Sequence, residues 1–287
     1  MRAPQLRSVL YVPGANGRAL EKARELPADG LIFDLEDAVA PEAKQWARDS
    51  ACEAARSGAY RSHTVAIRIN AIGTPWHAAD LAAAAAARPD AIVVPKVGSP
   101  EDLVGIERAL EEHGDRQTSI WAMLETPAAV LRSAAIAAAG ARLSVLVMGT
   151  NDLLAELRGQ ELPDRRPLET SLTLCLLAAR AAGRLILDGV YNDVRDAAGF
   201  EAECLAGRQL GFDGKTLIHP SQVEICNRVF APSEAELEHA RRVIEAFGQA
   251  TEAGAGVATL DGRLIEQLHV QSARRVLGCT DPPDASS

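Results

Sequence analysis

The sequence predicts a closed (β/α)8 barrel, an α/β fold, on three observations. Eight apolar, strand-like runs recur along the chain, and helical segments of about ten residues or more alternate with them. Such alternation reads as βα units of a parallel sheet. Eight units within 287 residues match the size of a single barrel. Polar residues able to do chemistry gather at the C-terminal ends of the runs, the face on which barrel enzymes react. An open doubly wound sheet is the competing reading, but no glycine-rich dinucleotide turn follows the first run.

The first run, Arg7-Ser8-Val9-Leu10-Tyr11-Val12, stops at Pro13-Gly14 and is followed by a helix over 16–26. Leu31-Ile32-Phe33-Asp34 is the second, ending in the acidic cluster Asp34, Glu36 and Asp37. Pro41 opens a helix reaching about Gly58, since proline suits a first turn. Val65–Asn70 is the third run and brings Arg68 to its end; an alanine-rich helix covers 76–87. Ala91–Lys96 is the fourth, with a helix from near Glu101. The fifth run, from Trp121, ends in Glu125 and the sixth, Val145–Asp152, in Asp152, separated by a helix over 127–139. Helix 168–182, strand 185–190, helix 197–210 and a short strand 215–218 complete the barrel, assigned to residues 1–230.

Glu125 and Asp152 close the fifth and sixth runs, so neighbouring strands carry two acids to one end of the sheet. A hard divalent cation such as Mg2+ needs one or two carboxylates with positions left for water and substrate oxygens. Either acid could equally cap the helix that follows it. Residues 231–287 read as a helical extension, an arm or lid. Ser233 with Glu236 forms a capping box for helix 233–249. A glycine hinge at 251–256, an Asp261-Gly262 turn, a helix over 265–277 and a disordered Cys279–Ser287 follow.

The composition, 47% apolar and 24% charged, is that of a soluble globular protein, and no apolar run is long enough to span a membrane. A net charge of -9 argues against a nucleic-acid partner, which needs a basic surface. Five scattered cysteines without CxxC spacing predict reduced thiols and a cytoplasmic protein, and the N-terminal residues are too few for a signal peptide.

The segments LYVPGAN (10–16), FDLEDAV (33–39) with Lys44 and Arg48, RIN (68–70), PKV (95–97), LETP (124–127), GTNDL (149–153) and GFDGKTLIHPSQ (211–222) resemble the citrate lyase beta subunit. They equally resemble the malyl-CoA and citramalyl-CoA lyases, a group related to the HpcH/HpaI aldolases. The resemblance implies a Mg2+-dependent carbon–carbon lyase. Its reaction would split a 3-hydroxyacyl-CoA (citryl-, citramalyl- or malyl-CoA) into an acyl-CoA and a 2-oxo acid. By the same resemblance Glu125 and Asp152 hold the metal, and Arg68 holds the oxo acid. Asp37 or Glu36 acts as base or holds metal-bound water, unless Asp34 and Glu36 only position Arg68 or Lys96. Coenzyme A is met by Pro13, Gly14, Lys44, Arg48 and Lys96. Glu266 stands where stand-alone lyases carry an aspartate that reaches a neighbouring subunit's site; it is one methylene longer. A homotrimer or hexamer is expected. Two alternatives remain open at this point: a malyl-CoA-type thioesterase, and a beta subunit active only within a multi-chain citrate lyase complex.

Overall fold

The computed structural model describes residues 5–62 and 64–278, so the expectation for Cys279–Ser287 falls outside the described residues. The chain divides into two compact units, Leu6–Phe230 and a C-terminal unit from Ala231 onward.

The first unit is a TIM barrel. Eight strands, β1 (Ser8–Pro13), β2 (Gly30–Asp34), β3 (Thr64–Arg68), β4 (Ala91–Val94), β5 (Ser119–Leu124), β6 (Leu143–Met148), β7 (Leu185–Asp188) and β8 (Gly214–Leu217), close in sequential order. Every neighbouring pair is parallel, including β8 with β1. Helices α1 (Gly17–Ala23), α2 (Lys44–Arg56), α3 (His77–Ala87) and α4 (Pro100–Glu112) connect the first five strands. The predicted helix over 127–139 is broken at Arg132 into α5 (Pro127–Leu131) and α6 (Ser133–Ala137). Helix α7 (Thr150–Glu156) follows β6, so Asp152 lies in a first helical turn rather than on the strand. The remaining helices of the unit are α8 (Glu169–Ala181), α9 (Ala197–Leu210) and α10 (Ser221–Phe230); the last had no counterpart in the sequence reading.

Two apolar clusters result. The larger packs the outward faces of the strands against the helices. The smaller fills the barrel itself with alternate residues of the strands: Val9, Ile32, Ala66, Val93, Trp121, Met123, Val145, Val147 and Leu187. Successive side chains of a strand point to opposite faces, so this alternation is what a barrel interior requires.

The C-terminal unit consists of α11 (Glu234–Glu252), a hairpin of β9 (Ala258–Leu260) and β10 (Arg263–Ile265), and α12 (Gln267–Gly278). The capping box is formed: the Ser233 N–H donates to Glu236 Oε2 at 2.7 Å, and the Glu236 N–H donates to Ser233 Oγ at 3.2 Å. Asp261 and Gly262 both take positive φ, the turn chemistry that joins two strands by two residues. The hairpin was read only as a turn because strands of three residues give too short an alternation. Glu266 therefore precedes α12, is exposed, and donates its backbone N–H to His269 Nδ1. No helix of the described residues is long and apolar enough to cross a membrane. Cys52, Cys175, Cys204 and Cys226 are buried free thiols.

Candidate active site

The site is the next layer up the barrel interior. Two residues beyond the last apolar inward positions Ile32, Ala66, Met123, Val147 and Leu187 stand Asp34, Arg68, Glu125, Gly149 and Gly189. The period of two that fills the core thus delivers three charged groups and two glycines to the C-terminal mouth.

Asp34 and Arg68 are register partners on β2 and β3. Arg68 Nε and Nη2 donate to the two Asp34 oxygens at 2.6 and 2.7 Å, a bidentate pair that fixes the plane of the guanidinium. Burial alone would push the Asp34 carboxyl up, but Arg68 holds it below the usual carboxylate range. Arg68 Nη1 donates to Asp37 Oδ2 at 3.3 Å, and the Tyr11 ring lies 4.8 Å from the guanidinium carbon. Five N–H bonds radiate from a guanidinium. Three serve these carboxylates, and Asp34 fixes the orientation of the group.

Glu36 and Glu125 are both buried. Glu36 Oε2 lies 3.0 Å from Arg68 Nη1, yet at an angle that makes no hydrogen bond, so this buried oxygen has no hydrogen-bond donor. Burial pushes the Glu36 carboxyl up to about 7, against the attraction of Arg68. Glu125 is likewise held up to about 7, by burial first and then by the charges of Glu36 and Asp152. Lys96 turns its backbone N–H onto Glu125 Oε1 at 2.6 Å, and its ammonium lies 3.6 Å from Glu36 and 3.8 Å from Asp152.

These contacts decide the capping alternative for Glu125. The cap of α5 is Thr126, whose side chain accepts from the Ala129 N–H, and Glu125 instead faces Lys96 across the mouth. For Asp152, α7 has no side-chain cap, and the Asp152 carboxylate pairs with Lys96.

The other expected residues fall in two groups. Pro13 ends β1 beside Asp34, and Gly14 donates its N–H to Asp34 O at 2.9 Å. Lys44 and Arg48 are buried, Lys44 holding the loop after β2 and Arg48 tying α2 to α3. The Lys44 ammonium donates to Leu35 O, Glu36 O and Asn70 Oδ1 at 2.7–2.8 Å, which uses all three of its N–H bonds. Arg48 donates to Asp80 and Gln45. In this structure Lys44 anchors the segment that carries Glu36. Glu266 belongs to the C-terminal unit.

The sequence reading did not single out Tyr11, Asp80 or Gly149 as site groups. Asp80 is fully buried and binds both Arg48 and Asn70. An acid inside an alanine-rich helix was the available signal. A model of the HpcH/HpaI aldolase/citrate lyase family matches residues 7–220. The chain belongs to this family. It is 49% identical to a (3S)-malyl-CoA thioesterase of Cereibacter sphaeroides, over 96% of this chain and 95% of that one. Citrate lyase subunit beta of Escherichia coli is 36% identical, over 94% and 92%. The crystal structure of the CitE protein of Mycobacterium tuberculosis in complex with magnesium, acetoacetate and coenzyme A is similar at a TM-score of 0.78. That match has 29% identity and covers 95% and 97% of the two chains.

For this member of the HpcH/HpaI aldolase/citrate lyase family, the glycine at 149 is a testable part of the site. A Cβ there would collide with Glu125 Cβ and Oε2. Gly149→Ala is expected to displace the Glu125 carboxylate and weaken divalent-cation affinity by about ten- to a hundredfold, the range for groups that orient ligands. Isothermal titration measures it, and unchanged affinity would place the Glu125 carboxylate outside the ion's reach.

Proposed function

We propose that the chain hydrolyses a malyl-CoA-type 3-hydroxyacyl-CoA to free coenzyme A and the hydroxy acid, with Mg2+ as cofactor and Glu125 and Asp152 as its ligands. The donor set fits that ion. Glu36 and Asp152 flank one ammonium at the mouth, Glu125 accepts the amide N–H of the same lysine, and one buried carboxylate oxygen lacks a donor. Among the described residues no three His, Cys, Asp or Glu side chains form a ready metal cage. That agrees with an ion that takes one or two carboxylates and completes its shell with water and substrate oxygens. When bound, Mg2+ supplies Lewis-acid polarisation of a substrate oxygen.

The observation that carries the reading is the Glu36 carboxylate: buried, aimed at Arg68, and with Oε2 free of any hydrogen-bond donor. In the proposed reaction Glu36 takes a proton from the attacking water as its oxygen bonds to the thioester carbon. The carbon–sulfur bond then breaks, and the thiolate takes up the proton as coenzyme A leaves. Arg68 holds the oxygen on which charge builds, and Asp34 keeps the guanidinium in plane. The relative that is 49% identical carries the thioesterase name, which supports hydrolysis over the lyase reaction expected first.

Carbon–carbon cleavage is the second reading, favoured by the same pairing of Arg68 with the carboxylates and by the citrate lyase relatives. There Glu36 would take the proton of the 3-hydroxyl, the C2–C3 bond would break, and a proton from an acid such as Glu266 of a neighbouring subunit, by the family resemblance, would complete the acyl-CoA. Product analysis on malyl-CoA separates the two. Free thiol with malate supports hydrolysis, whereas acetyl-CoA with glyoxylate transfers the proposal to the lyase. Cytoplasmic location, a homotrimer or hexamer, and independence from other citrate lyase subunits belong to this proposal. A monomer in light scattering would contradict the assembly.

A further inference from the structure

Three lysines of the barrel stand beside carboxylates or carbonyls, and two of them are fixed. Lys44 is buried with three acceptors. Lys215 is fully buried and donates to Asp188, Glu203 and the Gly189 carbonyl. Lys96 differs on every count. Its ammonium makes no hydrogen bond to a described residue, its two ion pairs are long at 3.6 and 3.8 Å, and its side chain is 44% exposed. A flexible four-carbon stem can therefore move it out of the mouth.

The backbone explains why it lies there at all. Lys96 has φ of 53°, a left-handed conformation that residues with a Cβ rarely adopt. That conformation sends its N–H to Glu125 Oε1 while the side chain reaches between Glu36 and Asp152. Backbone strain of this kind persists where the surroundings impose it, commonly at functional sites. One residue thus meets three carboxylates of the mouth, Glu125 through its amide and Glu36 and Asp152 through its charge.

We propose that Lys96 is a displaceable counter-ion, whose ammonium, poised between Glu36 and Asp152, neutralises the carboxylates around the metal site and moves away when a divalent ion enters. The inference rests on the metal reading above. Two like charges cannot share that space, so occupancy by the ammonium lowers the site's affinity for the ion.

The test is titration of Mg2+ into the full chain without substrate, by calorimetry, for the wild type, Lys96→Met and Lys96→Gln. Both variants keep a side chain at 96 and remove its charge. Each is expected to bind Mg2+ about tenfold more tightly, the size expected for removing a unit charge a few ångströms from a divalent ion under near-aqueous screening. A thermal melt confirms that the variants are folded, and two substitutions guard against one that is not. Unchanged or weaker affinity in the folded variants, with a wild type that binds Mg2+, overturns the counter-ion role alone. A wild type that binds no Mg2+ overturns the metal reading and this inference with it.

Discussion

Glu125→Gln is expected to lower turnover of a malyl-CoA-type thioester by about a thousandfold or more while leaving the protein as stable as before or more so. Loss of one group that stabilises developing charge costs about a hundred- to a thousandfold in rate, and in the proposed site the ligand and its ion would go together. Stability moves the other way for a physical reason. Glu125 is buried beside Glu36 and Asp152, and these surroundings push its carboxyl up to about 7. A neutral amide of the same shape keeps an acceptor for the Lys96 N–H and removes the repulsion. A rise in Tm with loss of activity is the signature of a group retained for function. Steady-state kinetics and a thermal melt on one preparation check both halves. Activity within tenfold of wild type would mean that Glu125 serves only to orient Lys96.

The largest expected loss of stability is at Asp188→Asn. Asp188 and Lys215 are fully buried neighbours, 3.0 Å apart, and Arg165 and Glu203 complete a cluster of two cations and two anions. Removing one acid leaves Lys215 and Arg165 facing Glu203 alone, which costs about 3–5 kcal/mol for an unpaired buried charge. For a chain of this size that corresponds to a fall in Tm of about ten degrees. The double variant Asp188→Asn with Lys215→Met should recover part of the loss, since the two residues act as a unit.

Acidity reports on the same cluster. Burial by itself would raise the Asp188 carboxyl, but Lys215 and Arg165 hold it below its ordinary value. Its folded-state pKa is therefore the lower one. The contribution to stability is present above the ordinary carboxylate pKa and is lost as pH falls through the folded-state value. Denaturation at stepped pH should show a steep acid limb in the wild type and a shallower one in Asp188→Asn. Equal slopes would mean that other carboxylates govern acid unfolding.

The barrel was legible because its signals are periodic. Apolar runs such as Ile92-Val93-Val94 and Val145–Met148 read as buried strands, and their order placed Asp34, Arg68 and Glu125 at one end of the sheet. Ends of elements were less legible. Lys96 reads as the last residue of a strand, yet it is left-handed and lies outside β4. Asp152 reads as a strand end but opens α7, because Gly149 already leaves the sheet.

Lys44 shows a different difficulty. A lysine four residues before an arginine on one helix looks like an anion site, and only the fold shows carbonyls of the preceding loop closing around it. Spacing along the chain carries no information about which acceptors a long side chain will find. The free oxygen of Glu36 is likewise a property of angles, with nothing local in the sequence to announce it.

The measurement that bears most directly on the account is release of free thiol from malyl-CoA by the purified chain, stripped with EDTA and then supplied with Mg2+. The account predicts no release after stripping and full recovery on adding the ion, with malate as the second product. Thiol release that persists undiminished in EDTA would contradict a site built around Glu125, Asp152 and a divalent cation.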